Sequence, residues 1–432
     1  MTDEVRAEVR AEVRAEVRAE VQIDGPRLLR RLAALAEVGA IDGGGVCRLA
    51  LTDADRAGRD LVVRWMRELG LVVTVDRIGN VLGTRAGRRA LPPVILGSHI
   101  DTVRNAGKYD GNLGVVAAIE AVAALHREGA RLPYPIEVIA FGDEEGVRFP
   151  TTLTGSRAVA GTLQNDPASI DARDAQGESV REALVSFGCN PFDIAGEARK
   201  RDQVAAYVEI HIEQGPVLEA EELALGVVTA INGASRFRLE VVGEAGHAGT
   251  VPMGLRKDAL AAGAEMALAI ERTGAGTPEL VATVGQMEAL PGAVNVIPSG
   301  CRFTLDIRSP SDADRNAAVA ALRSEFRAIA ARRGVRLEEN RFYDEPAATC
   351  DPKLVDELAA AVERCGMAAR RLPSGAGHDG LALVALCPIG MLFVRCRGGI
   401  SHNPAESILE EDAGLAVVVL LDFLRHFRPS QS

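Results

Sequence analysis

The chain has 432 residues, 47% of them hydrophobic, which is enough to bury the cores of two or three domains. A net charge of −11, no long basic block and only 4% aromatics argue against a nucleic-acid binder and against attachment to an anionic membrane. Seven scattered cysteines with no CxxC pair, no secretory leader and no apolar run long enough to span a bilayer predict free thiols and a cytoplasmic protein.

Residues 1–22 carry an AEVR repeat that stacks like charges at i,i+4. They are expected to be a weak helix or tail outside the chemistry, with packing against a partner chain as the sharper alternative. Helices are predicted at 26–36 and at 52–69, the second capped by Thr52 and stopped by Gly70. Strands follow at 71–76, 80–84 and 94–98, with His99 at the end of the third. A helix over 113–127 leads into the apolar run of 136–146, IEVIAFGDEEG, which ends in Asp143, Glu144 and Glu145. Strand, helix and strand at this spacing make a β-α-β crossover. His99 and the three acids then share one edge of a parallel sheet, where α/β folds hold ligands. The bland alternative for the acids is a solvated turn.

A further strand at 205–212 brings His211 to the same edge. Beyond it, strands at 225–231, 236–242, 280–288 and 299–307 with helices at 256–272 and 312–333 suit a small α+β insert, placed at 221–337. The α/β pattern returns with a helix at 351–365, a glycine-rich loop before 381–386, a strand at 389–394, a loop bearing His402 and a closing helix at 410–427. The predicted fold is a doubly wound, mostly parallel sheet domain (23–220 and 338–432) interrupted by the smaller α+β domain.

Of the seven histidines, His126 and His426 read as solvated helix residues. The other five adjoin glycine or strand ends. His99 and His211 are suited to hold one divalent ion, and Glu145 and His402 a second, with Asp110 between them. This nitrogen and oxygen donor set fits Zn²⁺ or Mn²⁺. Glu144 is left as the general base for a water, and the Asp101 carboxylate is placed to accept from the His99 ring nitrogen that does not bind metal.

The motifs GSHIDT, YDGNLGV, FGDEEGVRF, HIEQGPVLE, GHAGTVPM, NVIP, LDIR, SGAGHD and GISHNPAE, in this order, resemble the hydantoinase/carbamoylase amidases of the aminoacylase–dipeptidase superfamily of di-metal hydrolases. The resemblance spans 39–425. It implies the same five metal ligands and the same base. It also implies a lid and dimerisation role for the insert, oxyanion stabilisation by His247, and substrate contacts from Gln214, Asn295, Arg308, His378 and Gly399. From the residues alone, Arg308 could instead pair with Asp306, Asn295 could cap a turn, and Gln214 could be structural. The implied reaction is hydrolysis of the ureido C–N bond of allantoate or an N-carbamoyl-L-amino acid by a homodimer holding two metal ions per subunit. A dipeptidase or N-acyl-amino-acid hydrolase, and a catalytically silent binding protein, are the alternatives; His211 and Glu144 respectively speak against them.

Overall fold

Four adjacent strands, β4 (Ile136–Phe141), β3 (Val94–His99), β5 (Ala206–Ile212) and β16 (Ile389–Val394), run parallel and are buried at every residue. Burial on both faces explains why these segments are near-continuous apolar runs, because helices must cover each side. The computed structural model describes residues 24–166 and 168–429, so the AEVR repeat lies outside the described residues. Further strands extend the sheet on both sides. β1 (Val72–Val75) and β2 (Val81–Arg85) lie beyond β4; β6 (Leu225–Ile231), β14 (Ala348–Thr349) and β15 (Arg370–Ser374) lie beyond β16.

The expected crossover is present. Helix α3 (Asn112–Arg127) joins β3 to its parallel neighbour β4 with His99 in register with Phe141. Its buried Glu120 receives Arg27 and Arg31 from α1 (Gly25–Glu37), which fixes one helix on the other. Helix α2 (Asp53–Glu68) begins at the Thr52 cap, and Gly70 follows it at φ +72°. Arg48 is fully buried yet satisfied. It donates to the carbonyls of Ile100, Leu35 and Val38 and to Asn112 Oδ1, and so ties down the loop that follows His99. Among the described residues no helix is long and apolar enough to cross a membrane, and the seven cysteines are free.

The chain divides into two compact units. One gathers the described residues up to Thr229, Thr349–Leu372 and those from Ala376 onward; the other is Ala230–Ala348 with Pro373–Gly375. In the second, an antiparallel sheet has the order β10 (Met287–Leu290), β12 (Gly300–Ser309), β7 (Gly233–Val242), β13 (Arg336–Glu345), with β9 (Val281–Thr283) also on β12. One face is apolar. Phe237, Leu239, Phe303 and Leu305 share a core with Met266 of α4 (Ala259–Gly276) and Phe326 of α5 (Asp312–Arg333).

Three strand expectations need correction. Residues 225–231 belong to the large sheet, as β6 against β16; their burial on both faces does not suit a half-exposed sheet. The strand expected over 280–288 is two short strands interrupted around Gly285. The third long strand of the small sheet is β13, whose charged sequence RLEENRFYDE hides its strand period because most of it is exposed.

Candidate metal centre and active site

The carboxyl ends of β3, β4 and β5 place His99, the Glu144–Glu145 pair and His211 side by side, and the turn before α3 adds Asp110. The loop after β16 adds His402. Asp110 faces two ways: Oδ1 is 3.2 Å from His211 Nε2 and 3.9 Å from His99 Nε2, and Oδ2 is 3.2 Å from His402 Nε2. His402 Nε2 is also 3.8 Å from Glu145 Oε2. Two donor groups result, His99–Asp110–His211 and Asp110–Glu145–His402, each with its ligating atoms within 4.8 Å of one another. Glu144 stands beside the first, its Oε2 3.7 Å from His99 Nε2.

The chemistry of these donors fits divalent cations. His99 Nδ1 faces the Asp101 carbonyl at 3.0 Å and His211 Nδ1 the Ile212 carbonyl at 2.9 Å, so each Nδ1 donates and each ring turns its Nε2, the atom a cation would take, toward Asp110. The Gly111 amide nitrogen lies 3.1 Å from His211 Nε2, which holds the ring against the turn that carries Asp110. Glu145 Oε1 is buried with no partner among the described residues. Gly111 sits at φ +64°, and a Cβ on it would lie 2.4 Å from the His99 ring, so only glycine admits the imidazole.

The carboxylates crowd one another. Burial, then the charges of Glu145 and Asp379, push Glu144 well above the usual carboxylate range; burial and Asp110 do the same to Glu145. Asp110 resists burial and is held well below it by hydrogen bonds from His211 and His402. His211 likewise resists burial and is raised to about 9 by Asp110. Such a cluster is a natural seat for positive charge.

The family model for the peptidase family M20/M25/M40 matches residues 95–426. An N-carbamoyl-L-amino acid amidohydrolase of Geobacillus stearothermophilus is 43% identical over 399 residues, covering 92% of this chain and 97% of that protein. Allantoate deiminase 1 of Glycine max is 39% identical, covering 93% of this chain and 90% of that protein. The crystal structure of a hydantoinase/carbamoylase family amidase from Burkholderia multivorans matches with a TM-score of 0.89 at 38% identity, over 95% of this chain and 100% of that one. The chain belongs to the M20/M25/M40 family, among its hydantoinase/carbamoylase amidases. It is a metal-dependent hydrolase of amide C–N bonds.

Within this amidase the Asp101 expectation needs correction. Its backbone carbonyl, not its carboxylate, accepts from His99 Nδ1; the carboxylate oxygen is 3.9 Å away. The carboxylate instead receives the backbone amides of Glu144 and Glu145, each at 3.3 Å, as the chain turns at Asp143 with φ +56°. Gln214 donates to Asp110 Oδ2 at 2.9 Å and to Ser401 Oγ at 3.0 Å. His378 is buried edge-on against His211 with ring centroids 4.4 Å apart. Gly399 sits at φ +64° where a Cβ would come within 2.6 Å of the Gly215 carbonyl carbon, so close backbone packing requires glycine there.

The remaining candidates lie in the second unit of the amidase. His247 of β8 (Gly246–His247) pairs with Val296 of β11 (Val296–Ile297) in a two-stranded ribbon, and Ala248 N–H donates to the Asn295 carbonyl at 3.0 Å. Both side chains are exposed, and His247 Nδ1 accepts from Gly249 N–H at 3.1 Å. The Arg308 fork, expected for a substrate carboxylate, is engaged by Asp306: Nε and Nη2 each donate to it at 2.9 Å, and Nη1 donates to the Gly375 carbonyl at 2.7 Å. Residues 306 and 308 alternate onto the same face of β12, which is why they pair. Two of the five guanidinium protons remain for another acceptor.

Residues that sequence reasoning missed surround the centre. Buried Glu209 accepts from Ser98 Oγ at 2.6 Å, and buried Glu406 accepts from the amides of Tyr109 (2.7 Å) and Asp110 (3.2 Å). A lone acid inside the apolar run AYVEIHI was the available signal for Glu209.

Proposed function

We propose that the enzyme hydrolyses the ureido C–N bond of a linear carboxylated substrate, allantoate or an N-carbamoyl-L-amino acid, using two divalent ions, Zn²⁺ or Mn²⁺. The observation that carries this reading is the shared Asp110, which presents one oxygen to His99 and His211 and the other to His402, with Glu145 near His402. His211 in that set and the names of the relatives favour ureido substrates over peptides.

When bound, such ions supply Lewis-acid polarisation of the ureido carbonyl and acidify the attacking water. Glu144 takes a proton from that water as it adds to the carbonyl carbon, and then delivers it to the leaving nitrogen. The carbamate left behind breaks down to ammonia and carbon dioxide. His247 donates to the developing oxyanion. Asn295 and the free edge of Arg308 hold the substrate carboxylate, with Gln214, His378 and Gly399 as further contacts from the resemblance. The smaller unit serves as lid and homodimer interface, and the protein works in the cytoplasm without nucleic-acid or membrane partners.

The test is ammonia release from a panel of ureido acids, with release of free amino acids from dipeptides followed in parallel, using protein stripped with chelator and reloaded with Zn²⁺ or Mn²⁺. Metal-restored turnover of ureido acids is expected. Turnover confined to dipeptides would overturn the substrate class.

A further inference from the structure

The donor capacity of Gln214 is already spent. An amide nitrogen carries two protons, and those of Gln214 face Asp110 Oδ2 at 2.9 Å and Ser401 Oγ at 3.0 Å. Ser401 accepts there and sends its single proton toward Asp110 Oδ2 at 2.9 Å, with Glu406 Oε2 at 3.2 Å. Glu406 closes the circuit, its Oε1 accepting from the backbone amides of Tyr109 and Asp110. Side chain and backbone of Asp110 are thus gripped together.

We propose that Gln214, Ser401 and Glu406 form a clamp that sets the rotation of the Asp110 carboxylate and the place of His402, acting as positioning residues for the Asp110–Glu145–His402 group. This rests on the metal-centre reading above, and gives the amide nitrogen of Gln214 a part in supporting a ligand, while its Oε1 is buried with no partner among the described residues. Asp110 must aim Oδ1 at His99 and His211 and Oδ2 at His402, so a small rotation would spoil both groups. The clamp prevents it with two hydrogen bonds to Oδ2. His402 follows Ser401 directly, so anchoring the serine anchors the histidine.

Two further features show a built arrangement. Gln214 and His402 both occupy the left-handed region, at φ +57° and +53°, which non-glycine residues hold only when the surroundings impose it. Gly107 has no side chain where a Cβ would lie 2.3 Å from Glu406 Cβ, so the close approach of Glu406 to this loop depends on glycine.

The test is titration of the stripped full-length protein with Mn²⁺, by calorimetry and by competition with a chromogenic chelator, alongside kcat and KM. Wild type is expected to bind two ions. Ser401→Ala and Glu406→Ala are expected to weaken one of them about tenfold or more, the scale seen when outer partners of metal ligands are removed. The other ion should bind as before, KM should hold, and excess Mn²⁺ should restore kcat. Glu406→Gln, which keeps an acceptor for the two amides, should fall between. Wild-type affinity for both ions in Ser401→Ala and Glu406→Ala would overturn the clamp. So would a Gln214→Leu variant that raises KM while binding metal normally. Equal loss of both ions with a lowered Tm in Ser401→Ala would reduce these residues to scaffolding. A wild type that binds no ion would refute the metal centre itself.

Discussion

The Asp101 carboxylate receives the backbone amide of Glu144 at 3.3 Å, and its second oxygen receives that of Glu145 at the same distance. One buried acid on the loop after β3 thereby orients the turn after β4, where the proposed base and a proposed ligand stand next to each other. Asp101→Ala removes both acceptors and leaves two buried amides unpaired. The expected result is a fall of about 10–100-fold in kcat, the range for partners of this kind. KM should stay within about twofold if substrate binding does not pass through this turn. Kinetics with metal analysis of the purified variant measures this; an unchanged kcat would detach Asp101 from the chemistry.

Glu144→Gln keeps shape and burial but removes the proton acceptor. Turnover should drop by about 10²–10⁴-fold, the usual weight of a general base, while metal content stays at the wild-type level. Turnover within tenfold of wild type would remove Glu144 from the base role.

Gly111→Ala tests the packing of the centre. The new Cβ would stand 2.4 Å from the His99 ring, and the residue would have to keep φ +64°. The left-handed backbone alone costs roughly 1–2 kcal/mol, and the clash forces His99 away from Asp110 and His211. Weaker binding of one metal ion, read by chelator competition, is expected together with a lower Tm. Wild-type metal affinity would mean that His99 is not a ligand.

What the sequence made legible follows from local physics. Short apolar strands that end abruptly in His or Glu mark where a parallel sheet delivers its chemistry, so His99, Glu144, Glu145 and His211 stood out. Buried charges hydrogen-bonded from far away did not. Arg48 meets Asn112 across 64 positions, and Glu406 reaches the Asp110 amide across 296, so nothing near either residue announces its partner. The Asp101 carboxylate was misplaced because a backbone carbonyl can hold an imidazole tautomer as well as a carboxylate can. Strand β13 escaped notice because an exposed, charged strand has little hydrophobic period to read.

Arg308 is bonded to Asp306 in the structure and is proposed to hold the substrate carboxylate as well. Its bidentate bond to Asp306 is a half-exposed ion pair, a class worth about 0–1 kcal/mol of stability. A charge-assisted bond from its remaining protons to a substrate carboxylate would be worth about 1.5–3 kcal/mol, or roughly 10–150-fold in binding. Arg308→Ala should therefore raise KM for carboxylated ureido substrates by at least about tenfold while Tm moves little. Asp306→Asn keeps an acceptor for Arg308 and should raise KM less. An unaffected KM with a clearly lowered Tm would leave Arg308 as the structural partner of Asp306 and move the carboxylate anchor elsewhere.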